Sequence, residues 1–354
     1  MNVLVTGGCG FVGSNIARHF KKLDWITEVT AFDNLHRRGS ELNVPILKEE
    51  GIKFVHGDVR NKEDLLALDS YDIVIEASAE PSVHAGSNGD PLYVIDSNLI
   101  GAINCLEYAR RFQSIFVFLS SSRVYSIEAL RACVPSLKTE TQRVISSCPE
   151  GINESFNLTG PRSIYGTTKL AAELLVEEYH YSYGLRTIIN RCGIIAGPGQ
   201  FGKTDQGVIT LWLAAHEFGF PLTYKGFGGH GKQVRDVLHV KDLAELIELQ
   251  INRLNEVNGG TFNIGGGTEN SISLVELTQK CEELTGNSMA QIQENPNTSP
   301  VDIPFYVSNN ERIKSSIGWS PNRTVDSVLE DTLVWLRNDR DREKLKKLFM
   351  EGYK

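Results

Sequence analysis

Asn2-Val3-Leu4-Val5-Thr6-Gly7-Gly8-Cys9-Gly10-Phe11-Val12-Gly13 opens the chain, and its reading decides the fold. A short apolar run meets a cluster of glycines and then gives way to a helix-period pattern over residues 14–22. Gly8, Gly10 and Gly13 satisfy Gly-x-Gly-x-x-Gly, and Gly7, Gly10 and Gly13 satisfy the wider Gly-x-x-Gly-x-x-Gly. Such a turn needs glycines because the backbone must bend tightly, approach a pyrophosphate with no Cβ in the way, and pack helix on strand. The phosphates then rest on the helix N-terminus. Asp33 ends the next apolar run, 20 residues beyond Gly13, where a carboxylate accepts both hydroxyls of a ribose. Arg37 and Arg38 follow and could pair with a 2′-phosphate, but Asp33 would repel that group. The expected cofactor is therefore NAD rather than NADP.

Outward from this turn, short apolar runs alternate with helical patterns, as βαβ units with a parallel sheet do. Candidate strands are residues 2–6, 28–32, 53–56, 73–76, 115–119 and 187–191, with 260–264 returning to the same sheet. The expected fold class is α/β, a Rossmann-type doubly wound parallel sheet with a smaller C-terminal α/β lobe. Residues 1–198, with a returning segment at about 236–266, form the expected cofactor domain; 199–235 and 267–354 form the substrate lobe. Between 125 and 163 the sequence turns polar, broken by Pro135, Pro149, Gly151, Gly160 and Pro161, and reads as a long, lid-like excursion.

Composition narrows the function. A formal net charge of −8 with no basic stripe argues against a nucleic-acid surface, and the cluster from Arg340 to Lys347 alternates with acids as a solvated helix face does. Six cysteines show neither a CxxC pair nor a Cys/His spacing suited to zinc, so free thiols and no metal are expected. The opening strand leaves no room for a secretory leader, and no run approaches the roughly 20 apolar residues of a membrane span. A cytoplasmic enzyme with no membrane partner is the expectation.

Tyr165 and Lys169 lie four apart in a helical run and so share one face. A phenol of pKa about 10 is a poor base at neutral pH, and lowering it by about three units takes roughly 4 kcal/mol, which a neighbouring ammonium can supply. The fifth strand ends in Ser120-Ser121-Ser122, at the sheet edge where doubly wound folds bind ligands.

At these residues the chain resembles the extended short-chain dehydrogenase/reductase family, whose catalytic Ser/Thr, Tyr and Lys match Ser121, Tyr165 and Lys169. Ser122 is the alternative hydroxyl. Phe32-Asp33-Asn34-Leu35, Asp205-Gln206-Gly207, Gly231 through His239 and Phe262-Asn263-Ile264-Gly265-Gly266 are similar to the CDP-tyvelose (CDP-paratose) 2-epimerase branch of that family. The resemblance implies cofactor contacts from Gly7, Gly10, Phe11, Val12 and Gly13 in the turn, and from Asp33, Asn34, Arg37 and Arg38 after the second strand. It adds Asp58 and Val59, then Ala77, Ser78 and Ala79, then Asn98, and finally Ser120, Tyr165, Lys169 and Cys192. For the substrate it implies Ser121, Gln206, Gln233, Arg235 and Asp302. A CDP-sugar is the favoured substrate, oxidised transiently to a keto-sugar and reduced from the opposite face, by a homodimer or homotetramer; the alternatives are UDP-sugar 4-epimerase or related nucleotide-sugar dehydratase or reductase chemistry and, from another class, a non-catalytic NAD-binding regulatory protein.

Two departures stand out. Glu76 occupies a strand end where the family more often carries a histidine, and an arginine expected after Asp302 is missing. His84 and His230 are weaker acid/base candidates; His239 and Trp212 read as structural.

Overall fold

The computed structural model describes residues 1–86, 90–137, 140–202, 206–288, 292–338 and 342–353. Asp205 and Arg340, singled out above, lie outside the described residues.

The strands are β1 (Asn2–Thr6), β2 (Glu28–Asp33), β3 (Lys53–His56), β4 (Ile73–Glu76), β5 (Ile115–Ser121), β6 (Thr187–Cys192), β7 (Ile194–Ala196), β8 (Thr223–Lys225), β9 (Val234–His239), β10 (Gly260–Ile264), β11 (Ser271–Ser273), β12 (Gln293–Asn295) and β13 (Phe305–Tyr306). Seven of them form a sheet in the order β10-β6-β5-β4-β1-β2-β3, every pairing parallel. This is the doubly wound sheet expected from the sequence, and all seven candidate runs are in it. Alternate residues feed opposite faces: Val3 and Val5 pack with Ile16, Phe20 and Ile247, while Leu4 packs with Phe32, Phe116 and Val176 on the other side.

The first helix runs Phe11–Phe20 and starts three residues before the periodic pattern does. Gly10 is its N-cap, so the turn glycines fold directly into its first turn. Gly13 is needed there because a Cβ would stand 2.2 Å from the carbonyl oxygen of Gly7.

A second sheet gathers β11, β9 and β13, with β7 also pairing to β9, and β8 pairs separately with β12. The helix Val208–Phe218 packs its Trp212, Leu213 and Ala215 into the core beneath them. The segment 125–163 is not a lid. It contains the helix Ile127–Ala132, and Val124, Tyr125, Leu130 and Ile152 share a buried cluster with Ile303, Phe305 and Tyr306. The polar breakers concealed these spaced apolar anchors. The Ile152 N–H donates to the Val307 carbonyl at 2.7 Å, and the Tyr125 hydroxyl donates to Asn263 Oδ1 at 2.7 Å, pinning the excursion at its start and again within its second half.

Among the described residues no helix is long and apolar enough to cross a membrane, and no group of metal-ligating side chains is present. All six cysteines are free thiols, though Cys133 and Cys148, 15 residues apart, place their sulfurs 3.0 Å from each other.

Candidate active site

Two cavities lie along the C-terminal edge of the large sheet and share Ala77, Ala79 and Pro81 in their walls, so they form one crevice. The first is lined by Gly7, Gly10, Asp33, Asn34, Arg37 and Asp58, with Val59 and Ser78 beside them. The Asp33 carboxylate is fixed from behind, accepting from the N–H groups of Cys9 at 3.0 Å and Leu35 at 2.8 Å. Burial pushes its carboxyl up, and those same bonds oppose the shift. Asp58 is also raised by burial, but Arg60 and Asn34 outweigh this and hold it down at about 2. Asn34 donates to Asp58 at 2.9 Å, so the two predicted residues form one unit. Gly10 caps the first helix without any side-chain hydrogen bond, leaving the N-terminal N–H groups open toward the crevice. Such an uncapped helix end beneath a Cβ-free turn fits the diphosphate of a dinucleotide.

Three predicted cofactor residues sit away from these walls. Gly13 packs against Gly7, Arg38 is exposed, and Asn98 is buried with its amide bonded to Glu80, accepting from its N–H at 2.8 Å and donating to its carbonyl at 3.1 Å. Asn98 thus braces the loop that follows β4.

The second cavity is a cleft of about 480 Å³, within the roughly 300–1000 Å³ of a small-molecule site. Its walls include Phe11, Val12, Ser120, Ser121, Tyr165, Lys169 and Cys192. Tyr165 and Lys169 project from the start of the helix Ile164–Tyr183, whose N-cap Ser163 accepts from the Gly166 N–H at 3.1 Å. The Lys169 ammonium donates to the Leu119 carbonyl at 2.9 Å and stands 3.6 Å from Glu76. The Ser120 hydroxyl donates to Glu173 at 2.5 Å, and Glu173 is itself paired with Arg191 at 2.7 Å in the interior. Ser121 is left facing the cleft, its hydroxyl oxygen accepting from the Arg123 N–H at 3.2 Å. Burial pushes the Cys192 thiol up to about 12, which keeps it protonated.

Away from the large sheet the cleft is walled by Gln206, Trp212, Lys225, Gln233, Arg235 and Asp302. Each predicted substrate residue is therefore in one cavity with Ser121. Arg235 forms no ion pair with Asp236 or Asp242; it donates to the carbonyls of Val234 at 2.8 Å and Ile303 at 2.6 Å. Burial, then the nearby Arg123 guanidinium, pulls it down to about 10. Arg123, another lining residue, donates to the Val301 carbonyl, and Arg131 takes the carbonyls of Ser299, Pro300 and Asp302 at 3.0 Å each. Three guanidiniums thus bind every carbonyl from Ser299 to Ile303. This supplies what the missing arginine after Asp302 left open: positive charge reaches this wall from other segments.

Sequence reading did not assign Glu76, Arg123, Trp212 or Lys225 to the site. Glu76 was visible as a departure from the family pattern, whereas Trp212 lies on a helix that is apolar all round and carried no signal. His84 lines the cleft, with a ring nitrogen 4.0 Å from Asp302. His230 does not line it. His239 is fully buried and caps the helix Val240–Asn252, as a structural residue would.

The sequence matches the model of the NAD dependent epimerase/dehydratase family over residues 3–265. The CDP-paratose 2-epimerase of Salmonella typhi is 31% identical over 347 residues, covering 95% of this chain and 99% of that one. The dTDP-glucose 4,6-dehydratase of Streptomyces niveus is 28% identical, covering 96% and 94%. Among solved structures, the Thermus thermophilus UDP-glucose 4-epimerase complex with NAD superposes with a TM-score of 0.75 at 26% identity, covering 96% of this chain and all of that one. The uncapped glycine turn, the fixed Asp33 carboxylate and the Tyr165–Lys169 pair at one sheet edge agree with that match: the chain belongs to the NAD-dependent epimerase/dehydratase family, the extended branch of the short-chain dehydrogenases/reductases.

Proposed function

We propose that this protein is an epimerase of a nucleotide-activated sugar, with 2-epimerisation of a CDP-paratose/CDP-tyvelose type substrate as the favoured reaction. One observation carries the reading: Ser121, Tyr165 and Lys169 share a continuous cleft with Arg123 and Arg235, guanidiniums bonded only to carbonyls among the described residues. An alcohol placed at the tyrosine end would leave a diphosphate within reach of positive charge at the other, where forked donors match paired phosphate oxygens.

NAD, when bound, supplies the hydride acceptor and donor for the sugar carbon. Tyr165 removes the proton of the sugar hydroxyl, and the Lys169 ammonium stabilises the phenolate that makes this possible. Ser121 holds the reacting oxygen. After the keto-sugar turns in the cleft, Tyr165 returns the proton to the oxygen on the other face. Dehydration is disfavoured, because it needs an additional acid and base and Asp302 is the one carboxylate among the described lining residues. Two lobes divided at about residues 198, 236 and 266, and a cytoplasmic homodimer or homotetramer, complete the proposal.

The test is incubation of purified protein with CDP-, UDP- and dTDP-sugars in D₂O, followed by NMR. Inversion at one carbon without deuterium at that carbon is the expected result. Deuterium there, or no inversion of any sugar by protein carrying NAD, would overturn the reading. Preference for a UDP-sugar inverted at carbon 4 would replace it with the chemistry named for the Thermus neighbour.

A further inference from the structure

The buried ammonium of Lys169 has a buried partner that the reaction above does not use. Glu76 closes β4, and the Glu76 and Lys169 side chains are 1% and 3% exposed. Glu76 Oε1 accepts from the Ser78 hydroxyl at 2.5 Å, and Ser78 lies 3.3 Å from the Thr6 hydroxyl. Glu76 Oε2 has no hydrogen bond among the described residues, and the nearest cation is the Lys169 ammonium, 3.6 Å away. That ammonium is otherwise held by the Leu119 carbonyl and by the face of Phe118, 4.6 Å from the ring centre.

We propose that Glu76 is a positioning residue for Lys169: its carboxylate anchors the ammonium between β4 and β5 and keeps it charged beside Tyr165. The proposal rests on the roles given to Tyr165 and Lys169 above. An uncompensated charge in this interior would be strongly disfavoured, so each member of the pair requires the other. The surrounding groups offer no substitute. Cys105, on the helix Gly101–Phe112, and Cys192, on β6, are thiols that burial pushes up and keeps neutral. Arg123 interacts electrostatically with Tyr165 and carries the same sign as Lys169. Burial raises the Glu76 carboxyl, and the ammonium is the leading influence that lowers it again. A histidine at this strand end, which the family resemblance leads one to expect, would bring no negative charge to the lysine.

The experiment follows Lys169 directly, through the ¹³Cε signal of lysine-labelled protein, assigned by its loss in Lys169→Arg, alongside the pH profile of kcat/KM. An opposite charge at this separation shifts a titration by about one to three units. Glu76→Gln therefore moves both the Lys169 titration and the alkaline limb of the profile to lower pH by about one unit or more. Coincident titrations in wild type and variant overturn the proposal, as does a uniform fall in rate with an unmoved limb. If Glu76→Gln does not fold, Lys169→Met decides. It leaves the Glu76 carboxylate uncompensated, so its Tm should fall relative to wild type as pH rises from about 5 to about 8, and parallel slopes overturn the proposal. Failure of the wild type to turn over any nucleotide sugar would remove the epimerase reading, while the NMR titration would still decide the role of Glu76.

Discussion

Arg37 donates from its guanidinium to the side-chain oxygen of Gln206, joining a wall of the Asp33 cavity to a wall of the cleft that holds Tyr165. Hydrogen bonds to a charged group contribute about 1.5–3 kcal/mol when well shielded, and less at a half-exposed position such as this. A double-mutant cycle of Arg37→Ala and Gln206→Ala, read by thermal unfolding, should give a coupling of about 1 kcal/mol. Additive effects would show that the contact contributes nothing.

Tyr165→Phe should abolish turnover while leaving NAD binding intact, because the aromatic ring still fills the wall. Ser121→Ala should cost roughly 10² in kcat, at the low end for removing a positioned proton-handling or hydrogen-bonding group. Ser122→Ala, close to wild type in rate, would assign the hydroxyl; the reverse pattern would move the role to Ser122.

Asp33 should govern the choice between NAD and NADP, its carboxylate being held by the Cys9 and Leu35 N–H groups. Fluorescence titration should show NAD bound at least about tenfold more tightly, a difference of roughly 1.4 kcal/mol. Asp33→Ser should narrow that gap, chiefly by weakening NAD. Equal affinities in the wild type would contradict this role.

Replacing Arg235 with Ala should weaken a nucleoside diphosphate by roughly 10- to 100-fold, the usual range for losing a charge-assisted bond. Its cofactor content should not change, because Arg235 lines only the cleft. Calorimetric titration with CDP checks both statements.

Acid should destabilise the fold through His239. Its Nδ1 accepts from the Lys241 N–H at 3.0 Å, so the ring must be neutral there, and burial followed by the Lys241 charge depresses it from 6.5 to about 4. Between those values the unfolded chain binds more protons than the folded one, so this contribution is complete above about pH 6.5 and is lost as pH falls toward 4. His239→Asn keeps a capping acceptor without the titration and should flatten the Tm profile across that window.

Much of this molecule was legible because its signals are local. The glycine turn, Asp33 and the alternating apolar runs each state their structure within a few residues, and β1, β3, β4 and β10 have the expected bounds. Tyr165 and Lys169 were legible for the same reason, sharing one helix face. The excursion at 125–163 was misread because its anchors, Ile303 and Phe305, lie far along the chain. Glu76 could be seen to be unusual, but its partner could not be named without the β4–β5 register, which sets Phe118 opposite it, and the packing of the helix Ile164–Tyr183 that brings Lys169 to it. Arg131 stayed hidden likewise, since backbone carbonyls as partners leave no trace in side-chain patterns.

The last strand of the large sheet comes late. β10 pairs with β6 only after the chain has built β7, β8 and β9. A fragment ending near residue 198 would therefore leave β6 as a bare edge of unpaired backbone groups, a template for pairing with other chains. Such a fragment should aggregate rather than behave as a free cofactor module, and during synthesis the sheet stays unfinished until residue 264 has emerged. By this reasoning the two halves of the cleft should fold together as a single unit.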